Sequence, residues 1–345
     1  MLLCQLPPEI LLYVFRLLGS AFFRQDARRL LVSRQWYQLA RPVLLQDLDF
    51  SAESLQRFVL ASKKVGMIRS IRDHVRTLSL ALDDFENWHS AQLEPSSTEL
   101  YGIDPQTIDT WTSELNDLLV ALAGILQQCT RLQSLKLEAR PEGHGPWAGF
   151  SRRNYLMASP LASLVFINRL TCLEIDTGGT HLIQNNTSNM HLCTNINKML
   201  PTLRRLRCRT SDICRRILDV PGNGPLISLE DFVINLSLSE MSSSDTSYRY
   251  PNRCEHIPGD SFPRLNADVE SHAREIVKMM KNPRIARIVS HTFPGLEMHS
   301  FDAITGRRML LSSAAPWDAD GDEIEERIVV EDLFDSDSSS EEFLL

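Results

Sequence analysis

The most regular feature of the chain is a six-residue pattern, apolar-x-x-apolar-x-apolar. It occurs as Leu45/Leu48/Phe50, Val75/Leu78/Leu80, Leu132/Leu135/Leu137 and Leu170/Leu173/Ile175. It returns as Leu203/Leu206/Cys208, Leu229/Phe232/Ile234 and Phe293/Leu296/Met298. The last two apolar residues of each copy alternate with polar ones, the period of a strand with one buried face. Successive copies start 30, 57, 38, 33, 26 and 64 residues apart.

Most gaps hold a helix candidate. Ile108, Trp111, Leu115, Leu118, Leu119, Leu122 and Leu126 share one helical face, and Ser159-Pro160 opens a helix running through Leu164 and Ile167. Ser211 is placed to cap a short helix through Ile213 and Leu218, and Val269 to Met280 makes another. Strand–helix units repeated along a chain predict an α/β solenoid. Their period exceeds the roughly 20–29 residues of a regular leucine-rich repeat, so the expectation is an irregular, leucine-rich-repeat-like domain over residues 45–317. Residues 84–105, 141–150, 178–189 and 238–265, rich in Ser, Pro, Asn, Asp and Gly, read as loops. Thr305-Gly306 reads as a turn before a last strand, Met309 to Leu311.

Residues 1–44 follow a different rhythm. A helix is expected after Leu6-Pro7-Pro8, with the stripe Ile10, Leu11, Val14, Phe15 and Leu18. Asp26 is placed to cap a second helix with Leu30 and Leu31. Ser33 opens a third, with Trp36, Leu39 and Ala40, expected to stop near Pro42.

Composition changes this picture in two places. Hydrophobic residues are 43% and charged residues 23% of the 345, ordinary for a globular chain. The net charge of −8 is unevenly spread: residues 318–342 carry twelve acids and one base, which leaves the rest near +3. Residues 318–345 are therefore expected to be a disordered acidic tail. In it Ser338 and Ser339 each precede an acid by three positions, a spacing that acid-directed kinases favour. The nearly neutral body lacks the basic face that nucleic-acid binding needs. The apolar run Ile10 to Leu18 is too short to span a bilayer and contains Arg16. No secretory signal is expected, which places the chain in the cytoplasm or nucleus.

Seven cysteines are scattered with no CxxC spacing, so neither a disulfide scaffold nor a metal site is expected, and no cofactor. No GxSxG, HExxH or GxxxxGK[ST] motif occurs, so no catalytic residue is assigned. Asp318, Asp320 and Asp322 resemble the start of a calcium loop. However, Glu323 and Val329 stand where glycine and a bidentate glutamate belong.

Leu6-Pro7-Pro8-Glu9-Ile10-Leu11, Val14-Phe15, Leu30-Leu31-Val32-Ser33-Arg34-Gln35-Trp36 and Leu39-Ala40 together resemble the F-box motif. Ser300-Phe301-Asp302-Ala303 and Trp317-Asp318-Ala319-Asp320-Gly321 resemble the chain ends of fungal F-box proteins. The resemblance implies a three-helix F-box over residues 1–44 that binds a Skp-type adaptor and, through it, the cullin of a ubiquitin ligase. The implied adaptor contacts are Leu6, Pro7, Ile10, Leu11, Val14, Phe15, Val32 and Trp36. The stretch from Phe15 to Val32 departs from the family pattern: it is longer than usual and lacks the familiar Asp-Leu pair. Without the resemblance, residues 1–44 also read as a capping unit of the repeat domain.

The target site is expected on the outward strand positions. Alternation turns Arg205, Arg207 and Arg209 outward together, between Glu174 and Asp176 on one side and Asp231 and Asn235 on the other. The outward middle row is expected to run through Ser79, Lys136, Glu174, Arg207, Val233 and Glu297. Two readings stand: a cross-strand charge ladder, or a basic strip that receives an acidic target segment. The acidic tail could fold back to shield the strip, or serve solubility. The functional expectation is a non-catalytic substrate receptor of a Skp–cullin–F-box ubiquitin ligase, with a protein target. The alternative is a non-ligase interaction scaffold.

Overall fold

The structure, a computed structural model, describes residues 6–62, 67–83, 105–139, 154–167, 169–178, 180, 182–183, 191–219, 228–238, 250–254, 261–291, 297–312 and 315–323. It is a mixed α/β protein built on a ten-stranded, mostly parallel sheet. The strands β1 (Asp47–Ser51), β2 (Thr77–Leu82), β3 (Ser134–Ala139), β5 (Cys172–Asp176), β7 (Arg205–Arg209), β9 (Asp231–Asn235) and β11 (Ile285–His291) lie side by side in chain order, all parallel. Antiparallel strands β12 (Met298–Asp302), β13 (Arg308–Leu311) and β14 (Asp322–Glu323) finish the sheet. Two-residue pairs, β4 (Leu156–Met157) with β6 (Leu182–Ile183) and β8 (Asp212–Ile213) with β10 (Asn252–Arg253), sit in the crossovers.

The hydrophobic pattern sets the register. Leu48, Leu78, Leu135, Leu173, Leu206, Phe232 and Ala286 are consecutive cross-strand partners, and so are Phe50, Leu80, Leu137, Ile175, Cys208, Ile234 and Ile288. A one-residue slip would turn both rows to solvent, so burial pins the pairing. Backbone amides just before each strand form a second ladder. Arg76 donates to Gln46 (2.7 Å), Gln133 to Arg76 (2.8 Å), Thr171 to Gln133 (2.8 Å), Arg204 to Thr171 (2.7 Å), Glu230 to Arg204 (2.8 Å) and Arg284 to Glu230 (2.8 Å).

That ladder corrects the seventh copy of the pattern. It begins at Pro283 and continues through Ala286 and Ile288. Proline and alanine do not read as strongly apolar, whereas Phe293/Leu296/Met298 does. Phe293 and Leu296 fall outside the described residues, and Met298 opens a strand of opposite direction. Arg287, not Glu297, therefore takes the last outward middle position, beside Val233.

Helices fill the crossovers: α3 (Ala52–Ser62), α4 (Met67–His74), α5 (Pro105–Leu126), α6 (Ala158–Val165), α7 (Leu192–Met199) and α8 (Phe262–Met279). They cover one face of the sheet, where Leu78, Leu119, Leu122, Leu135, Leu164, Leu173, Ile196, Leu206, Phe232, Val269 and Ile276 join a single core. Ser211 does not open a helix. It precedes β8, and the helical turn there is a short 3₁₀ stretch, Arg215–Leu218. Among the described residues, no helix is long and apolar enough to cross a membrane.

The N-terminal module has its own core. Helix α1 (Pro8–Gln25) is bent at Gly19 (φ +75°), which takes up the long stretch after Phe15. The second helix is only a 3₁₀ turn, Ala27–Leu30, with Asp26 Oδ1 accepting from the Arg28 amide. Helix α2 (Arg34–Leu44) starts where Ser33 Oγ accepts from the Trp36 amide, and it continues through Pro42. Leu11, Phe15, Phe23, Ala40 and Val43 are the buried residues of this cluster, separate from the sheet core. Ser20 Oγ donates to Asp47 Oδ2 (2.8 Å), tying the module to the first strand.

The expected tail boundary at Asp318 falls inside a docked segment. Residues 315–323 lie across the far face of the sheet, with Ala315, Trp317 and Ala319 against Val233, Val289, Met298 and Leu311. Gly321 permits this approach: its φ is +52°, and a Cβ there would lie 2.5 Å from the Leu310 carbonyl oxygen. Residues 324–345, with Ser338 and Ser339, lie outside the described residues.

Candidate functional site

Two surfaces carry the sequence expectations. On the N-terminal module, Phe15 packs edge-on against Phe23 (5.4 Å between centroids) and Trp36 (4.4 Å). Trp36 Nε1 donates to the Arg29 carbonyl at 2.6 Å, fixing the 3₁₀ turn over the helix pair. Leu11 and Phe15 are fully buried, so two of the eight expected adaptor contacts build the module's own core. Leu6, Val14 and Trp36 are half-buried, while Pro7, Ile10 and Val32 are exposed.

Beside the expected Ile10 and Val32, the module exposes Tyr13, Leu17 and Leu31, which were not assigned from sequence. Ile10, Tyr13 and Leu17 project at helical spacing, and Leu31 and Val32 stand out from the turn before α2. Of twelve large apolar residues exposed among the described ones, seven belong to this module: Ile10, Tyr13, Leu17, Leu18, Leu31, Val32 and Tyr37. Such concentration is unlike the scattered singles of an ordinary surface. The signal was legible, since α1 is apolar on more sides than one packing partner needs.

The second surface is the outward face of the sheet, where the three strip arginines have three different fates. Arg205 is half-exposed and 3.5 Å from Asp231. Arg207 pairs with Asp318 of the docked segment. Arg209 donates through Nε (2.8 Å) and Nη2 (2.6 Å) to the two oxygens of Asp176, with 11% and 16% side-chain exposure. Beside them Lys136 meets Glu174 at 2.9 Å, a hydrogen bond that raises its ammonium pKa. Arg287 pairs with Asp320 and donates to the Ala319 carbonyl. The Trp317 ring lies 5.0 Å from the Arg209 guanidinium. The strip is thus both a cross-strand ladder and a receptor for an acidic stretch of its own chain.

A third constellation was not anticipated from the cysteine spacing. His191, Cys193, Cys214 and Cys254 bring their ligand atoms within 4.8 Å of one another. The four residues come from three separate crossovers, so their spacing along the chain carries no signal.

Set beside known proteins, the chain matches no family model, no curated protein and no solved structure.

Proposed function

We propose that the chain is a substrate-recognition subunit of a Skp–cullin–F-box ubiquitin ligase. The N-terminal module acts as an F-box that docks a Skp-type adaptor, and the parallel-strand array acts as an irregular leucine-rich-repeat-like solenoid that holds a protein target. The observation that carries this reading is the module's double character. It closes a core of its own, yet keeps Ile10, Tyr13, Leu17, Leu31 and Val32 exposed. A capping unit would bury its apolar residues against the repeats. These five stay exposed instead, as an adaptor-binding surface requires. The Leu6-Pro7-Pro8-Glu9 start and the Ser33-Arg34-Gln35-Trp36 finish point the same way.

The mechanism is proximity, and the chain itself makes and breaks no bond: one end is tied to the ligase, and the other holds the target near the transferred ubiquitin. This places the protein in the cytoplasm or nucleus. The target chemistry follows from what the strip already accepts. Asp318 and Asp320, with Trp317 against Arg209, form an acidic segment seated on Arg207 and Arg287. A target segment of the same acidic character would compete for these positions.

The test is co-purification from cells. The ligase reading requires the adaptor and cullin to be captured together with the full chain. Adaptor without cullin would favour the non-ligase scaffold, and capture of neither would remove the proposal.

A further inference from the structure

We propose that His191, Cys193, Cys214 and Cys254 form a structural zinc site that clamps three consecutive crossovers of the sheet. Each crossover supplies part of it. His191 and Cys193 lie at the start of α7, between β5 and β7. Cys214 follows β8, between β7 and β9, and Cys254 follows β10, between β9 and β11. The β8–β10 pairing brings the last two together. Asp212 and Ile213 pair with Asn252 and Arg253, so Cys214 and Cys254 are the next residues in register. The Cys254 amide donates to the Ile213 carbonyl at 3.3 Å.

The distances suit one tetrahedral ion. Bonds of about 2.3 Å to sulfur and 2.0–2.1 Å to nitrogen place ligand atoms about 3.4–3.8 Å apart. Cys193 Sγ and Cys254 Sγ are 3.7 Å apart, and Cys214 Sγ is 3.6 Å from His191 Nδ1. Three thiols and an imidazole are the donor set that selects zinc over harder cations. Four protein ligands leave no open position, which marks a structural rather than a catalytic ion.

The surroundings favour thiolates. The Cys214 amide points at Cys193 Sγ, 3.4 Å away, as second-sphere amides do around zinc-bound sulfur. Cys193 and Cys214 are buried, while Cys254 and His191 are partly exposed, which leaves a route in.

The arrangement also has a mechanical reason. The β5–β7 and β7–β9 crossovers carry only short helical pieces, an eight-residue α7 and a four-residue 3₁₀ turn. One ion bound by residues 63 positions apart along the chain closes long loops.

The experiment is metal analysis of the full chain, purified without chelator and then after mercurial release. One equivalent of zinc is expected. Cobalt exchanged into the site should give thiolate-to-metal charge transfer and the intense visible bands of a tetrahedral ion. Cys214→Ser and His191→Ala should lose the zinc, whereas Cys129→Ser and Cys208→Ser should keep it. If the ligand variants do not fold, chelation of the unmodified chain decides the matter, since it should lower the thermal midpoint and zinc should restore it. Three results would each overturn the proposal: a chain that takes up neither zinc nor cobalt, a midpoint indifferent to chelator, or a Cys193–Cys254 disulfide in a non-reducing peptide map.

Discussion

Replacing Arg209 with methionine keeps the stem and removes the guanidinium, leaving Asp176 the Gly178 amide (3.0 Å) as its close donor among the described residues. The pair is nearly dry, at 11% and 16% side-chain exposure, and it has two parallel charge-assisted bonds. Hydrogen bonds to charged groups contribute about 1.5–3 kcal/mol. Breaking a fully buried pair costs about 3–5 kcal/mol. The residual solvent access places Arg209→Met at about 2–3 kcal/mol, between these limits. Arg205→Met should cost no more than about 1 kcal/mol, since Arg205 is 47% exposed and 3.5 Å from its partner. Adding Asp176→Leu to Arg209→Met should recover most of the loss, because the orphaned carboxylate is gone. Urea unfolding with a constant slope measures all three. Equal losses at Arg205 and Arg209, or a double variant whose loss is the sum of the singles, would refute the view that one arginine is structural and the other available for recognition.

Three further outcomes are expected. Tyr13→Asp with Leu17→Asp should weaken adaptor capture at least about 100-fold, since two side chains worth about 1.5 kcal/mol or more each lose their burial. The thermal midpoint should hold because both are exposed in the free chain; retained capture would place docking elsewhere. Gly321→Ala should lift the docked segment off Leu310 and free Arg207 and Arg287. Binding of a fluorescent oligoglutamate peptide should then increase, and unchanged binding would mean the segment shields nothing. Burial pushes the Cys129 thiol up to about 11 and Cys208 up to about 12, from an ordinary 9.0. The unfolded chain therefore ionises first. The stability from keeping these thiols neutral is complete below pH 9.0 and is lost as pH rises through that window, by up to about 1.4 kcal/mol per pH unit for each thiol. Denaturant midpoints of a Cys129→Ala/Cys208→Ala variant should fall less steeply with pH, and parallel slopes would contradict the argument.

Local periodicity determined six of the seven parallel strands by itself. In six copies the pattern placed the paired residues, because a period-2 stripe with one buried face admits a single register. The caps at Asp26 and Ser33 were equally legible, since a short oxygen-bearing side chain before an apolar stripe acts within three residues. The tertiary structure decided what depends on distant partners. It converted Pro283 and Ala286 into the seventh copy, because a position between two packed elements needs only to fit and not to be strongly apolar. It divided the stripe of α1, sending Leu11 and Phe15 inward and Ile10 and Tyr13 outward, a choice set by where α2 lies. It gave three arginines of one strand three different roles, because their carboxylates come from β5, β9 and the segment after β13. Cysteines 40 residues apart, Cys214 and Cys254, became neighbours only through the short β8–β10 pairing. Ligand spacing along a chain is informative when one loop supplies the set; here three crossovers supply it, and folding alone brings them together.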